Sequence, residues 1–106
     1  MAAREPPLTL GIEEEYLLVD RETRAVASEP PAQLFADLHE RTAGRAFPEF
    51  LRAQVEIATP VCRSIGDARV ELGSLRRAVI EETAKYGLAP IAASSHPFSL
   101  SSKQKR

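Results

Sequence analysis

The fold is decided by two stretches of sequence, Gly11-Ile12-Glu13-Glu14-Glu15-Tyr16 and Gln54-Val55-Glu56-Ile57-Ala58-Thr59-Pro60. Each stretch places acidic side chains inside a run that otherwise alternates like a buried β-strand. Desolvating a carboxylate costs several kcal/mol unless a cation or hydrogen bonds compensate it. Two such strands side by side therefore predict a site for a hard cation.

Composition narrows the class of protein. The chain has 106 residues, 43% of them hydrophobic, which is enough for one domain with a core. Its 15 acidic and 14 basic residues give a net charge of −1, and it lacks Trp, so neither nucleic acid nor a membrane surface is an expected partner. One cysteine, Cys62, excludes a disulfide framework, and we expect it at a buried strand end. The N-terminus has no apolar signal segment, which favours a cytoplasmic protein.

The pattern along the chain predicts an α+β fold, with a mainly antiparallel sheet and helices packed on one side of it. We expect a flexible leader over residues 1–7, a folded part over 8–98 and an unstructured basic tail over 99–106. Within the folded part, strands are predicted over 8–19, 25–27, 50–61 and 88–93, helices over 32–39 and from Ser64 to near Gly87, a loop between Gly44 and Pro48, and a turn over 94–98.

Strand alternation gathers the acidic side chains. Glu13 and Glu15 share one face of the first strand, and Glu14 points to the other face. Glu56 joins the pair if the two strands are neighbours. The three carboxylates would repel each other, and Mg²⁺ or Mn²⁺, which prefer oxygen ligands, would relieve that repulsion. The alternative is that these glutamates line a solvated sheet face, which is common in antiparallel sheets.

The two stretches resemble a known family. Thr9 to Asp20 is similar to the opening strand of the glutamate–cysteine ligase type 2 family, the bacterial carboxylate–amine ligases, and Gln54 to Pro60 is similar to its second signature. A leucine- and arginine-rich helix and Ala93-Ser94-Ser95-His96-Pro97-Phe98 follow in the same order. The resemblance covers nearly all of residues 8–98 and identifies the chain as the N-terminal portion of such a ligase.

The resemblance implies a fold, a reaction and a set of site residues. The family fold is similar to that of glutamine synthetase, an antiparallel sheet curved into a funnel in which carboxylates hold Mg²⁺ around ATP. ATP phosphorylates glutamate to an acyl phosphate, and an amine such as cysteine displaces the phosphate to give γ-glutamylcysteine. Carried over by position, the metal ligands are Glu13, Glu15 and Glu56, and Gln54 and His96 are nucleotide- or substrate-side contacts. No residue is assigned a catalytic role.

The chain also departs from the family. Family members usually have Gly-Thr before the His-Pro-Phe motif, where this chain has Ser94-Ser95, so a structural role for His96 stays open. Arg76 and Arg77 are expected on a solvated helix face. Family members are also considerably longer, so we expect a truncated ligase. The alternative is a non-catalytic remnant that binds a partner, or self-associates as a homo-oligomer, through an open sheet edge.

Overall fold

A computed structural model describes residues 9–48 and 53–98. The elements follow in the order β1 (Gly11–Asp20), α1 (Ala32–Arg41), β2 (Ala46–Pro48), β3 (Gln54–Ala58), α2 (Ile65–Ala84) and β4 (Leu88–Phe98). The four strands form one sheet in the order β2-β3-β1-β4, and each neighbouring pair is antiparallel. The predicted α+β class is confirmed. The predicted leader and tail lie outside the described residues.

Both helices cover the same face of the sheet, as predicted. Alternation turns Tyr16 and Leu18 of β1 and Val55 and Ile57 of β3 toward that face. They pack against the apolar stripes of the two helices, formed by Leu34, Leu38, Leu72, Leu75 and Val79. The opposite face of the sheet carries the odd-numbered residues of β1, and no helix among the described residues covers it. We call this opposite face the open face.

Helix α2 begins and ends where the sequence indicates. The Ser64 hydroxyl accepts a hydrogen bond from the Asp67 backbone N–H at 3.0 Å, which caps the first turn. At the other end Gly87 adopts φ +74°, a left-handed conformation that reverses the chain into β4. The cap residue is Lys85, so the glycine lies one position later than a C′ glycine would.

Two predictions between β1 and β3 need correction or refinement. The expected loop between Gly44 and Pro48 contains β2, which pairs Ala46 with Ile57. Three residues are too few to show an alternating pattern, so this strand could not be predicted from the sequence. The predicted strand over 25–27 is reduced to one bridge between Val26 and Val19.

The predicted turn over 94–98 is wrong, because β4 continues through it to Phe98. Serine and proline favour turns, and Ser94, Ser95 and Pro97 suggested one. The strand instead continues past a β-bulge opposite the junction of Glu15 and Tyr16. Glu15 pairs with Ser94 and Tyr16 with Ala92, so Ala93 is the extra residue.

The two prolines of β4 have their nitrogens on the outer edge of the sheet. The backbone N–H of Arg21 donates to the Gly87 carbonyl at 3.0 Å. Hydrogen-bonded and non-hydrogen-bonded pairs alternate along an antiparallel ladder, so the adjacent pair, Asp20 and Leu88, is a non-hydrogen-bonded one. Leu88 therefore directs its own backbone groups outward, and alternation places Pro90 in the same orientation. At the other end the partner of Pro97 is Ile12, whose backbone groups bond toward Thr59 instead. The outer edge of β4 thus lacks N–H donors at both proline positions.

Restoring those two donors should promote strand pairing between molecules. We expect the double variant Pro90→Ala/Pro97→Ala to self-associate with rising concentration, because its outer edge gains two N–H groups. Analytical ultracentrifugation checks this against the unchanged chain. Pro31→Ala, at the exposed start of α1, is the matched control and should sediment like the unchanged chain. Identical sedimentation of the double variant and the unchanged chain would show that the prolines do not protect this edge.

Candidate functional site

Glu15 and Glu56 meet directly on the open face. The pairing of β1 with β3 places Glu15 opposite Glu56, Leu17 opposite Gln54 and Glu13 opposite Ala58. Side chains directly opposite each other in an antiparallel pair have Cβ atoms about 4.5–5.5 Å apart. The predicted condition for a shared site, neighbouring strands with one common face, is met.

The electrostatics of this pair favour a cation. Glu15 and Glu56 are half-buried, and like charges directly opposite each other destabilise a sheet. Two carboxylates supply hard oxygen donors of the kind that Mg²⁺ uses, commonly one or two at a time together with phosphate oxygens. The donor set therefore fits a magnesium ion carried by a nucleotide.

Glu13 stands apart from that pair. It is exposed and lies two residues along the same face, a separation of about 6.8 Å in a strand. Over residues 9–48 and 53–98, no three His, Cys, Asp or Glu side chains are already grouped to hold an ion. The structure thus brings two of the three predicted ligands together as direct neighbours and places the third on the same face.

The other two predicted contacts, Gln54 and His96, belong to the strands on either side of β1. Gln54 is half-buried, pairs with Leu17 and lines a groove of about 930 Å³, whose other walls come from Leu17, residues 26–31 and Ala53. His96 is the register partner of Glu13 on β4. The sequence did not predict the role of Ser94, whose hydroxyl donates to Glu15 Oε1 at 3.0 Å.

Glu14 is turned away from the site, as predicted, and its buried carboxylate is held in an ion pair with a half-exposed arginine. Only 2% of it is exposed. Arg76 of α2 donates from Nε to Glu14 Oε1 at 2.9 Å and from Nη2 to Oε2 at 2.5 Å, and the Tyr16 hydroxyl also donates to this carboxylate. These interactions, chiefly the hydrogen bond from Arg76, lower the pKa of Glu14 below its ordinary value, and burial raises the pKa of Tyr16. Glu14 is therefore a structural anchor.

Arg76 corrects one prediction. We expected it on a solvated face, yet it joins α2 to the central strand, although half of its side chain stays exposed. Arg76 lies beside the apolar stripe of Leu72, Leu75 and Val79 on α2, so the aliphatic part of its side chain lies close to the sheet. A buried carboxylate in β1 was the sequence signal that required such a cation.

Neither helix in the described parts of the chain is long and apolar enough to cross a lipid bilayer.

Comparison with known proteins identifies the family of this chain. A family model described as glutamate-cysteine ligase family 2 (GCS2) matches residues 9–106. The chain belongs to this family. The resemblance drawn from the two acidic strands is thereby confirmed.

Relatives in the glutamate–cysteine ligase 2 family are similar to most of this chain, and the similarity covers a small part of each relative's length. A Rhodospirillum rubrum protein named "Putative glutamate--cysteine ligase 2" is 54% identical over 99 residues, which is 90% of this chain and 25% of that protein. Proteins of the same name from Jannaschia sp. and Pseudomonas fluorescens are 53% and 38% identical, covering 85% and 92% of this chain and 24% and 26% of theirs. The chain spans about a quarter of the length of the curated relatives that it matches.

Proposed function

We propose that this chain provides the carboxylate wall of a Mg²⁺-ATP site in an ATP-dependent carboxylate–amine ligase that joins glutamate to cysteine. The observation that carries the proposal is the direct pairing of Glu15 with Glu56 on the open face, in a chain that belongs to glutamate–cysteine ligase family 2. The alternative is that Glu15 and Glu56 line a merely solvated face, and the half-burial of both side chains is the observation that weighs against it.

The predicted site residues have the following roles in the proposed function. Glu15 and Glu56 would hold Mg²⁺, or Mn²⁺ in its place, and Glu13 would complete the set from the next position along the strand. The bound ion would supply charge neutralisation between the phosphates of ATP. Gln54 would make a polar contact to nucleotide or substrate in the neighbouring groove, and His96, the register partner of Glu13, would make a second one.

The proposed chemistry needs no nucleophile from this chain. The γ-phosphoryl group passes to the glutamate carboxylate, and the amine then displaces phosphate to form the amide. Such phosphoryl transfer depends on positioning and on charge stabilisation more than on covalent catalysis by the protein. By resemblance to the family, the proposal includes glutamate and an amine such as cysteine as small-molecule partners and a cytoplasmic location.

A chimeric enzyme tests the proposed activity at family length. Residues 9–98 of this chain would replace the matching segment of the Rhodospirillum rubrum relative. We expect the chimera to release ADP only with Mg²⁺, glutamate and cysteine together. Glu56→Gln in the chimera should slow that release about 100-fold or more, because a negatively charged oxygen ligand is lost.

The control for this assay is Glu40→Gln, which neutralises an exposed glutamate near the end of α1, away from the groove, and should leave the rate unchanged. The unmodified relative sets the reference rate. A folded chimera that is inactive beside an active relative would contradict the proposal. So would a Glu56→Gln chimera that keeps the full rate.

A further inference from the structure

The bulge in β4 determines which side chain lies beside Glu15. With regular pairing beyond Ala92, Ala93 would lie opposite Glu15 and Ser94 opposite Glu14, on the buried face. The extra residue at Ala93 shifts the pairing by one position, so Ser94 lies opposite Glu15 and Ser95 opposite Glu14. Bulges commonly re-aim side chains in this way. The bulge therefore places the Ser94 hydroxyl on the open face.

The hydroxyl of Ser94 contacts one oxygen of the Glu15 carboxylate. Ser94 is half-buried, and its Oγ donates to Glu15 Oε1 at 3.0 Å. The Glu15 side chain therefore has Ser94 of β4 on one side and Glu56 of β3 on the other. A hydrogen bond on the β4 side fixes the orientation of the carboxylate. Among residues 9–48 and 53–98 no side chain hydrogen-bonds to Oε2, which can therefore take a cation.

We propose that Ser94 is a positioning residue that orients Glu15 for cation binding, an inference that rests on the proposed function. Hydrogen bonds to a ligating carboxylate fix its direction, and removing such partners typically weakens metal binding by about 10–100-fold. The serine oxygen also keeps its lone pairs, which can accept a hydrogen bond from a water of the ion's hydration shell. An alanine at this position would supply neither interaction.

Ser95 provides the matched control. It is the next residue of the same strand, carries the same hydroxyl and lies opposite Glu14, whose pKa it helps to lower. Glu14 is on the face that packs against α2. Ser95→Ala therefore removes a serine hydroxyl beside a glutamate of β1 without altering the open face.

The test is titration of Mn²⁺ alone into the ¹⁵N-labelled 106-residue chain and its variants, read from paramagnetic broadening of backbone amides. We expect Ser94→Ala to bind about tenfold more weakly, and Ser94→Thr, which keeps the hydroxyl, to stay within about threefold of the unchanged chain. Ser95→Ala should bind like the unchanged chain. Without metal, the Glu15 side-chain carboxyl ¹³C resonance should move in Ser94→Ala and stay in place in Ser95→Ala.

Two outcomes would overturn the inference, and they are distinguishable. If the unchanged chain shows broadening around residues 13–15 and 54–58 and Ser94→Ala shows the same affinity, Ser94 does not position the ligand and the proposed function stands. If the unchanged chain shows no broadening there, the cation site itself is refuted, and the role of Ser94 with it. Dispersed amide spectra of all the variants confirm that they are folded.

Discussion

Replacing Arg76 with alanine will lower the free energy of unfolding by about 2–4 kcal/mol, because it leaves the Glu14 carboxylate buried without its cation. The estimate lies below that for a fully buried pair, since about half of the Arg76 side chain is exposed and solvent screens it. Urea denaturation at neutral pH measures the change. No other single ion pair described in this chain holds so deeply buried a carboxylate against the central strand.

The neighbouring arginine is the control for this prediction. Arg77→Ala removes an exposed cation from the same turn of α2 and should change stability by no more than about 0.5 kcal/mol. The double variant Glu14→Gln/Arg76→Met should regain part of the loss, because no charge then remains buried. Equal stability of Arg76→Ala and Arg77→Ala would contradict the anchoring role of the ion pair.

Changing Glu15 to glutamine will weaken Mn²⁺ binding about 100-fold, which corresponds to about 2.7 kcal/mol, because the site loses one of two adjacent anionic ligands. Folding should not suffer. The free energy of unfolding should stay equal or rise by about 0.5 kcal/mol, since repulsion between Glu15 and Glu56 is removed. Titration calorimetry gives the affinity, and denaturation gives the stability.

The matched control for Glu15→Gln is Glu22→Gln, which neutralises an exposed glutamate in the turn after β1. It changes the net charge equally and should leave Mn²⁺ affinity as it is. If both variants weaken binding to the same small extent, the effect of Glu15 is general electrostatics and the paired-carboxylate site is wrong.

Alternation in β1 was enough to predict how its three consecutive glutamates divide between two faces. The period of a strand fixes which side chains share a face, and the buried partners Tyr16 and Leu18 fix which face is the core. The meeting of Glu15 with Glu56 depended further on strand order and register. Those features arise from pairing over a separation of about forty residues, which local sequence does not encode.

The end of β4 shows what local patterns missed. Ser94 to Phe98 has the composition of a turn, but Pro97 is tolerated in the strand because its nitrogen lies on the outer edge of the sheet. The bulge at Ala93 is defined by the pairing of β4 with β1, so it cannot be predicted from residues 88–98 alone. The contact between Ser94 and Glu15 depends on that bulge and was therefore beyond prediction.

A metal–nucleotide site on the open face can be tested with an amide-correlation spectrum of the labelled 106-residue chain, titrated with Mn²⁺ and, in a separate sample, with Mg-ATP. We expect a dispersed spectrum in which Mn²⁺ broadens amides around residues 13–15 and 54–58, excess Mg²⁺ reverses the broadening, and Mg-ATP shifts the same region. A dispersed spectrum that stays unchanged, or that broadens elsewhere, would contradict the claim that the open face is a metal–nucleotide site.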